Sequence, residues 1–358
     1  LKWPLHGSNP QYLYQSMGVP LPDHYIDFSA NINPLGPPPS LKEKWGQAFE
    51  LINDYPDPKA YQFSIKAAEK EGLPVNWILP GNGGSELIAL IARLLAGKRV
   101  LIVQPAFSEY EEACKANGCQ IGYHILEEGK WELMSESIIS ELDHYDALFL
   151  CNPNNPTGTS FSRHAISRVL KESAAKNCFV IIDEAFYDFS EEVHSFASSI
   201  QTYPNLMVLR SMTKMYSIPG IRLGYAIAHP HVLKEMAVFQ PHWSVNALAL
   251  MAGEECLKAN EHVRKTRRYI GMQRSRLVKF FQENGYEVSN FNVNFYLVRD
   301  SDYIDQLPLI CFLLEHGIVP RHTYHFPGLE GRWIRLAIKR EDENDRLMEV
   351  LAKWRTVK

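Results

Sequence analysis

Apolar positions fall into two alternating patterns between about residues 85 and 230. In Ser85–Ala96, Leu87, Ile88, Ile91, Leu94 and Leu95 recur at helical spacing and predict one buried helix face. The run Val100–Val103, closed by Pro105, is continuously apolar and predicts a strand buried on both sides. Ala147–Cys151, Phe179–Ile182, Leu206–Leu209 and Gly224–Ala228 repeat the strand pattern, and Arg163–Lys176 the helical one. Fully apolar strands separated by helices predict an α/β fold whose mostly parallel central sheet is sandwiched by helices. Beyond about residue 235 the pattern changes. Glu254–Phe281, Tyr303–His316 and Asp342–Trp354 predict helices, and Tyr286–Arg299 and Arg332–Ile338 predict strands, as in a smaller α+β domain. The first 45 residues are rich in Pro, Gly and Asn, and Gly36-Pro37-Pro38-Pro39 predicts an arm without regular structure. Its aromatic and apolar content predicts that it packs on the body. The expected division is an arm, 1–52, belonging to the small domain, a large domain, 53–231, and the rest of the small domain, 232–358.

Composition narrows the class without naming a function. The 358 residues suit two domains at ~100–200 residues each. At 46% hydrophobic and 22% charged the chain is ordinary for a globular protein. A core of this size needs no disulfide or metal staple. A net charge of −4 without a basic run argues against nucleic-acid binding. The apolar runs fall far short of the ~20 residues that cross a bilayer, and Leu1-Lys2-Trp3-Pro4 lacks a charged-then-apolar leader pattern. The six cysteines, at 114, 119, 151, 178, 256 and 311, show no C-x-x-C pair or zinc spacing. They read as small hydrophobes in a reducing, cytoplasmic setting, with no metal expected.

The chemistry concentrates where predicted strands end, which is where α/β sheets put their ligand sites. Lys214 lies just beyond Leu206–Leu209, with Ser211 three residues before it and Arg222 eight after. That set offers an amine able to form a Schiff base, with a hydroxyl and a guanidinium for a phosphate. Ile181-Ile182-Asp183 ends another strand in an acid, which alone reads either as a helix N-cap or as a carboxylate for a pyridinium nitrogen. Asn152-Pro153-Asn154-Asn155-Pro156-Thr157-Gly158 has turn composition, and its amides are able to bond a ring hydroxylate. Gly81-Asn82-Gly83-Gly84-Ser85-Glu86 opens a helix whose free N–H groups attract phosphate. It is neither a P-loop nor G-x-G-x-x-G.

Taken together these segments resemble the fold-type-I pyridoxal-phosphate enzymes of the aminotransferase class I/II superfamily over nearly the whole chain. The resemblance implies that Lys214 holds pyridoxal 5'-phosphate covalently, that Asp183 pairs with its ring nitrogen and that Asn155 contacts the ring oxygen. Ser211, Arg222 and the Gly83-Gly84-Ser85 amides would bind its phosphate, and Phe107 of Pro105-Ala106-Phe107 would stack on the ring. Tyr55, in Tyr55-Pro56-Asp57, matches a tyrosine that reaches the neighbouring subunit's site, which implies a homodimer.

Within the superfamily the chain is most similar to the threonine-phosphate decarboxylases of cobalamin synthesis, sisters of the histidinol-phosphate aminotransferases. The likeness rests on His6-Gly7-Ser8-Asn9, Asp27-Phe28-Ser29-Ala30-Asn31-Ile32-Asn33-Pro34-Leu35-Gly36, Trp77-Ile78-Leu79-Pro80-Gly81-Asn82-Gly83 and Trp243-Ser244-Val245-Asn246-Ala247-Leu248. It implies that His6, Gly7, Asn31 and Asn155 line the site of a small phosphorylated amino acid, whose anionic ends Arg321 and Arg335 would hold. One departure has chemical content. The aminotransferases usually read Asp-x-Ala-Tyr, and here the fourth residue is Phe186, which removes a hydroxyl donor to the cofactor. That favours decarboxylation, with histidinol-phosphate aminotransferase as the alternative.

Overall fold

The computed structural model describes residues 3–190 and 194–357. Leu1 and Lys2, half of the tetrapeptide read above for a leader, lie outside the described residues.

Seven strands form the central sheet: β1 (Ile78–Gly81), β2 (Arg99–Gln104), β3 (Gln120–Ile125), β4 (Ala147–Cys151), β5 (Phe179–Asp183), β6 (Leu206–Ser211) and β7 (Gly224–Ala228). Their order is β1-β7-β6-β5-β4-β2-β3. Every pairing is parallel except those of β7, which runs against both neighbours. The five interior strands are the ones the continuous apolar runs predict, because both faces of an interior strand are covered by helices. The pattern missed the edges. β1 contains Pro80 and Gly81, and β3 is exposed at its first, fourth and last positions. The helix predicted at Ser85 starts two residues earlier, at Gly83, and runs to Leu94. The helix Arg163–Ala175 is capped by Ser162, whose hydroxyl accepts from the Ala165 N–H at 3.1 Å.

A second, antiparallel sheet takes Arg321–His322, Ile334–Ala337, Phe295–Arg299 and Glu287–Val288 in that order. The strand predicted over Tyr286–Arg299 is therefore two strands folded back on each other, with Val298 opposite Val288. Asn290, Asn292 and Asn294 supply the turn chemistry between them. The helix predicted over Glu254–Phe281 is likewise two, Ala247–Lys258 and Asn260–Glu283. They part at Ala259, whose ψ of 49° leaves the helical region. The helix predicted from Tyr303 begins at Leu307, with a proline in its first turn, where the missing N–H costs nothing.

The arm is more ordered than its prolines suggest. Pro10–Met17 is helical, and Pro39 opens the helix Pro39–Trp45. Ile26–Asp27 pairs in parallel with Ile318–Val319, and the Phe28 carbonyl accepts from the Ala337 N–H at 2.9 Å. Asn33, buried, donates its amide to the Met215 carbonyl at 2.7 Å and to the Thr266 hydroxyl at 2.8 Å. The arm is thus bolted both to the second sheet and to the turn that carries Lys214. Among the described residues no helix is long and apolar enough to cross a membrane.

Candidate active site

A cavity of about 480 Å³ opens at the C-terminal ends of β4, β5 and β6, where Cys151, Asp183 and Ser211 sit in adjacent strands. Asp183 is buried there. Its carboxylate accepts from the Tyr110 hydroxyl at 2.6 Å and from the Ala185 N–H at 2.9 Å. Desolvation dominates and raises its pKa, so a cation brought against it would be held strongly. Lys214, half-buried on the turn after β6, is pushed down to about 8, first by desolvation and then by Arg335 and Arg222. A lysine so placed keeps a neutral, nucleophilic fraction near neutral pH.

Beside it the helix Gly83–Leu94 presents its N-terminus. Gly83 has φ +80° and lies flat against Arg222; a Cβ there would come within 2.6 Å of Arg222 Nη2. Arg222 itself holds φ +62°, a costly conformation for a residue with a side chain. The Glu86 carboxylate, in the same first turn, is occupied by the Asn82 N–H at 2.7 Å and the Ser244 hydroxyl. Free helix N–H groups, the Ser85 and Ser211 hydroxyls and the Arg222 guanidinium then form an anion cradle. Ser211 Oγ is 2.9 Å from Thr213 Oγ1.

The opposite wall comes from the arm and the second sheet. Arg335 donates through Nη1 to Asn155 Oδ1 and through Nη2 to the Ser29 carbonyl at 2.7 Å, while its Nε has no partner among the described residues. Arg321 donates to the carbonyls of Pro4, at 2.8 Å, and Leu5. Burial pushes Arg335 down to about 9, with Arg321 adding to the effect, and Arg321 to about 10. His6 Nε2 lies 3.2 Å from Glu109 Oε1, and that hydrogen bond raises the imidazole pKa. Gly7 fits where a Cβ would lie 2.8 Å from the Ser29 carbonyl oxygen. Asn31 is buried with its Oδ1 unpartnered.

The cavity thus gathers His6, Gly7, Asn31, Gly84, Ser85, Phe107, Asn155, Asp183, Ser211, Lys214, Arg222, Arg321 and Arg335. Gly83 stands behind Arg222. Tyr55 is elsewhere, 84% exposed and with its ring 5.0 Å from that of Trp243. Sequence reading missed Tyr110, Glu109, Ser29 and Thr213. Ser29 lies inside a segment already singled out, whereas Tyr110 in the first turn of Glu109–Ala116 looks like a core residue. Phe186 lines the cavity and packs edge-on against Phe295, at 4.7 Å. The neighbouring Tyr187 ring lies against Arg210, 4.1 Å from its guanidinium carbon, and does not line the cavity.

Residues 23–351 match the family described as aminotransferase class I and II. The chain is 35% identical to threonine-phosphate decarboxylase of Salmonella typhimurium over 349 residues, covering 97% of this chain and 95% of that one. It superposes on the crystal structure of histidinol-phosphate aminotransferase from Clostridium acetobutylicum with a TM-score of 0.88, at 31% identity over 92% of this chain and 99% of the other. For L-threonine-O-3-phosphate decarboxylase from Porphyromonas gingivalis the TM-score is 0.82, at 27% identity over 91% and 98%.

Proposed function

The chain belongs to the aminotransferase class I and II family, and we propose that it is a lyase that decarboxylates L-threonine O-3-phosphate to (R)-1-amino-2-propanol O-2-phosphate. The observation that carries this reading is the pair of buried guanidiniums, Arg321 and Arg335, neither of which has an ion pair among the described residues. Two unneutralised cations lining the same cavity as Lys214 suit a substrate with both a carboxylate and a phosphate.

The cofactor is pyridoxal 5'-phosphate, and the residues present fit it. The depressed Lys214 amine suits covalent attachment, the buried Asp183 suits a protonated ring nitrogen, and the glycine cradle under Arg222 suits a phosphate. Lys214 would hold the cofactor, Asp183 its ring nitrogen, and Asn155 and Phe107 its ring. The Gly83-Gly84-Ser85 amides, Ser211 and Arg222 would hold its phosphate. Bound there, it supplies an electron sink for a bond broken at the substrate Cα.

The protein's own part is orientation. With Asn155 and Ser29 fixing its fork, Arg335 sets the direction of the substrate carboxylate, and that direction decides whether CO₂ or a proton leaves Cα. Lys214, able to carry a proton near neutral pH, returns one to Cα after CO₂ has gone. Phe186 leaves the cofactor oxygen without the hydroxyl donor of the aminotransferases, which supports the lyase. The likeness to a histidinol-phosphate aminotransferase structure supports transamination as the second reading.

The same proposal includes a cytoplasmic homodimer in which Tyr55 reaches the partner subunit's site. The large exposed side chains Trp45, Phe49, Ile52, Tyr55, Tyr61 and Trp243 support it, since a monomer gains nothing from showing them to water. It also includes the division into 1–52, 53–231 and 232–358, supported by the pairing of the arm with Ile318–Val319. The test is direct. Loaded with cofactor and given O-phospho-L-threonine, the protein releases CO₂; no CO₂, with 2-oxoglutarate consumed in the presence of histidinol phosphate, would overturn the assignment.

A further inference from the structure

A second cavity, of about 330 Å³, lies between the long helix Asn260–Glu283 and Phe189, six residues after Asp183. Arg267, Arg268 and Arg274 line it. Arg267 Nε donates to the Asp188 carbonyl at 2.6 Å, and Arg274 Nη1 to the Phe291 carbonyl at 3.4 Å. Neither bond neutralises a charge. Among the described residues none of the three arginines has an ion pair, and no acidic side chain lines the cavity. Elsewhere on the same helix the pattern is the reverse: Arg264 pairs with Glu261, and Arg276 with Glu341 and Asp345.

Three guanidiniums lining one hollow repel one another, and that cost is recovered when an anion enters. The rest of the wall agrees. Asn292 Oδ1 accepts from the Ser160 hydroxyl at 2.8 Å, which leaves its NH₂ to donate. Phe189 and Ile270, both buried, add apolar surface. Donors without acids among the described residues, apolar contacts, and a volume at the low end of the ~300–1,000 Å³ that holds organic ligands define the occupant.

We propose that this cavity is a second binding site, for a small phosphorylated metabolite whose phosphate is held by Arg267, Arg268 and Arg274 and whose body rests on Phe189 and Ile270. It shares no residue with the active cavity and stands whether or not the decarboxylase reading does.

Phenyl phosphate, an anion with a ring, is the probe. Calorimetric titration of the cofactor-loaded enzyme should show two binding events per chain, of which Arg268→Ala/Arg274→Ala weakens one at least ~10-fold. The double variant should keep its turnover in the absence of probe and its melting temperature. If it folds poorly, the exposed Arg268→Glu gives the same readout alone. A single event untouched by these substitutions overturns the proposal. So does sulfate at equal ionic strength binding as tightly as phenyl phosphate, which would mark general charge screening.

Discussion

Arg210 and Arg335 are the same residue type, equally buried, and are treated in opposite ways. Arg210, one position before Ser211, sits between Glu71 at 3.0 Å and Glu184 at 2.8 Å, and those carboxylates raise its pKa despite desolvation. Arg335, on the far wall, meets an amide oxygen and a backbone carbonyl, and burial pushes it down to about 9. The first charge is completed by the protein and serves the scaffold under β5 and β6. The second is left for a ligand to complete. Consecutive residues repeat the lesson: Glu184 is locked to Arg210, whereas Asp183 meets only neutral donors, Tyr110 and a backbone N–H. Burial therefore does not separate structural from functional charges here; the partner does.

Four substitutions probe that contrast, the largest effect first. Lys214→Ala should cost roughly 10⁴-fold or more in CO₂ release and abolish near-visible absorbance in the loaded protein. Substantial residual activity would remove the lysine from the centre of the reading. Arg210→Met, which strands Glu71 and Glu184, should lower unfolding free energy by ~3–5 kcal/mol in denaturant titrations. Its kcat/KM should move less than that of the next variant, and the contrast fails if the order is reversed. Arg335→Lys should cut kcat/KM for phosphothreonine by about 10²-fold, since an ammonium lacks the planar fork, while leaving the melting temperature of the ligand-free enzyme unchanged or higher.

The smallest effect is a pH shift. His6 is faced by Glu109, Glu112 and Arg321, and the Glu109 hydrogen bond raises its pKa above 6.5. Its contact with Glu109 is complete below 6.5 and lost as pH rises through that raised value. KM for the phosphorylated substrate should therefore climb with pH across this window. In Glu109→Gln the climb should begin at lower pH, for a ~2–5-fold difference near neutrality; superimposed profiles would show that Glu109 does not set the charge of His6.

The lysine wall was legible in the sequence because its residues end continuous apolar runs: Ile181-Ile182-Asp183, and Ser211 to Arg222 after Leu206–Leu209. The other wall was reachable only through resemblance. Arg321 and Arg335 lie in short strands of two and four residues with no motif of their own, and the Ser29 carbonyl that Arg335 uses has no side-chain signature. The fold divides the same way. Interior strands announce themselves by burial on both faces, while edge strands β1 and β3 do not. Nothing in an alanine warns that the helices part at Ala259, because alanine is the strongest helix former. The asparagines between Glu287–Val288 and Phe295–Arg299 did carry a turn signal, which the apolar neighbours Phe291 and Val293 hid.

Arg321 holds the arm by two carbonyl oxygens, those of Pro4 and Leu5. A grip on the main chain does not read side chains, so the identities of these two residues are free to drift between descendants while the strap stays fastened. Gly7 enjoys no such freedom, since any side chain there meets the Ser29 carbonyl. Evolutionary variation across this short stretch should thus fall in adjacent, unequal patches: permissive where the backbone is held, fixed where the backbone must pass.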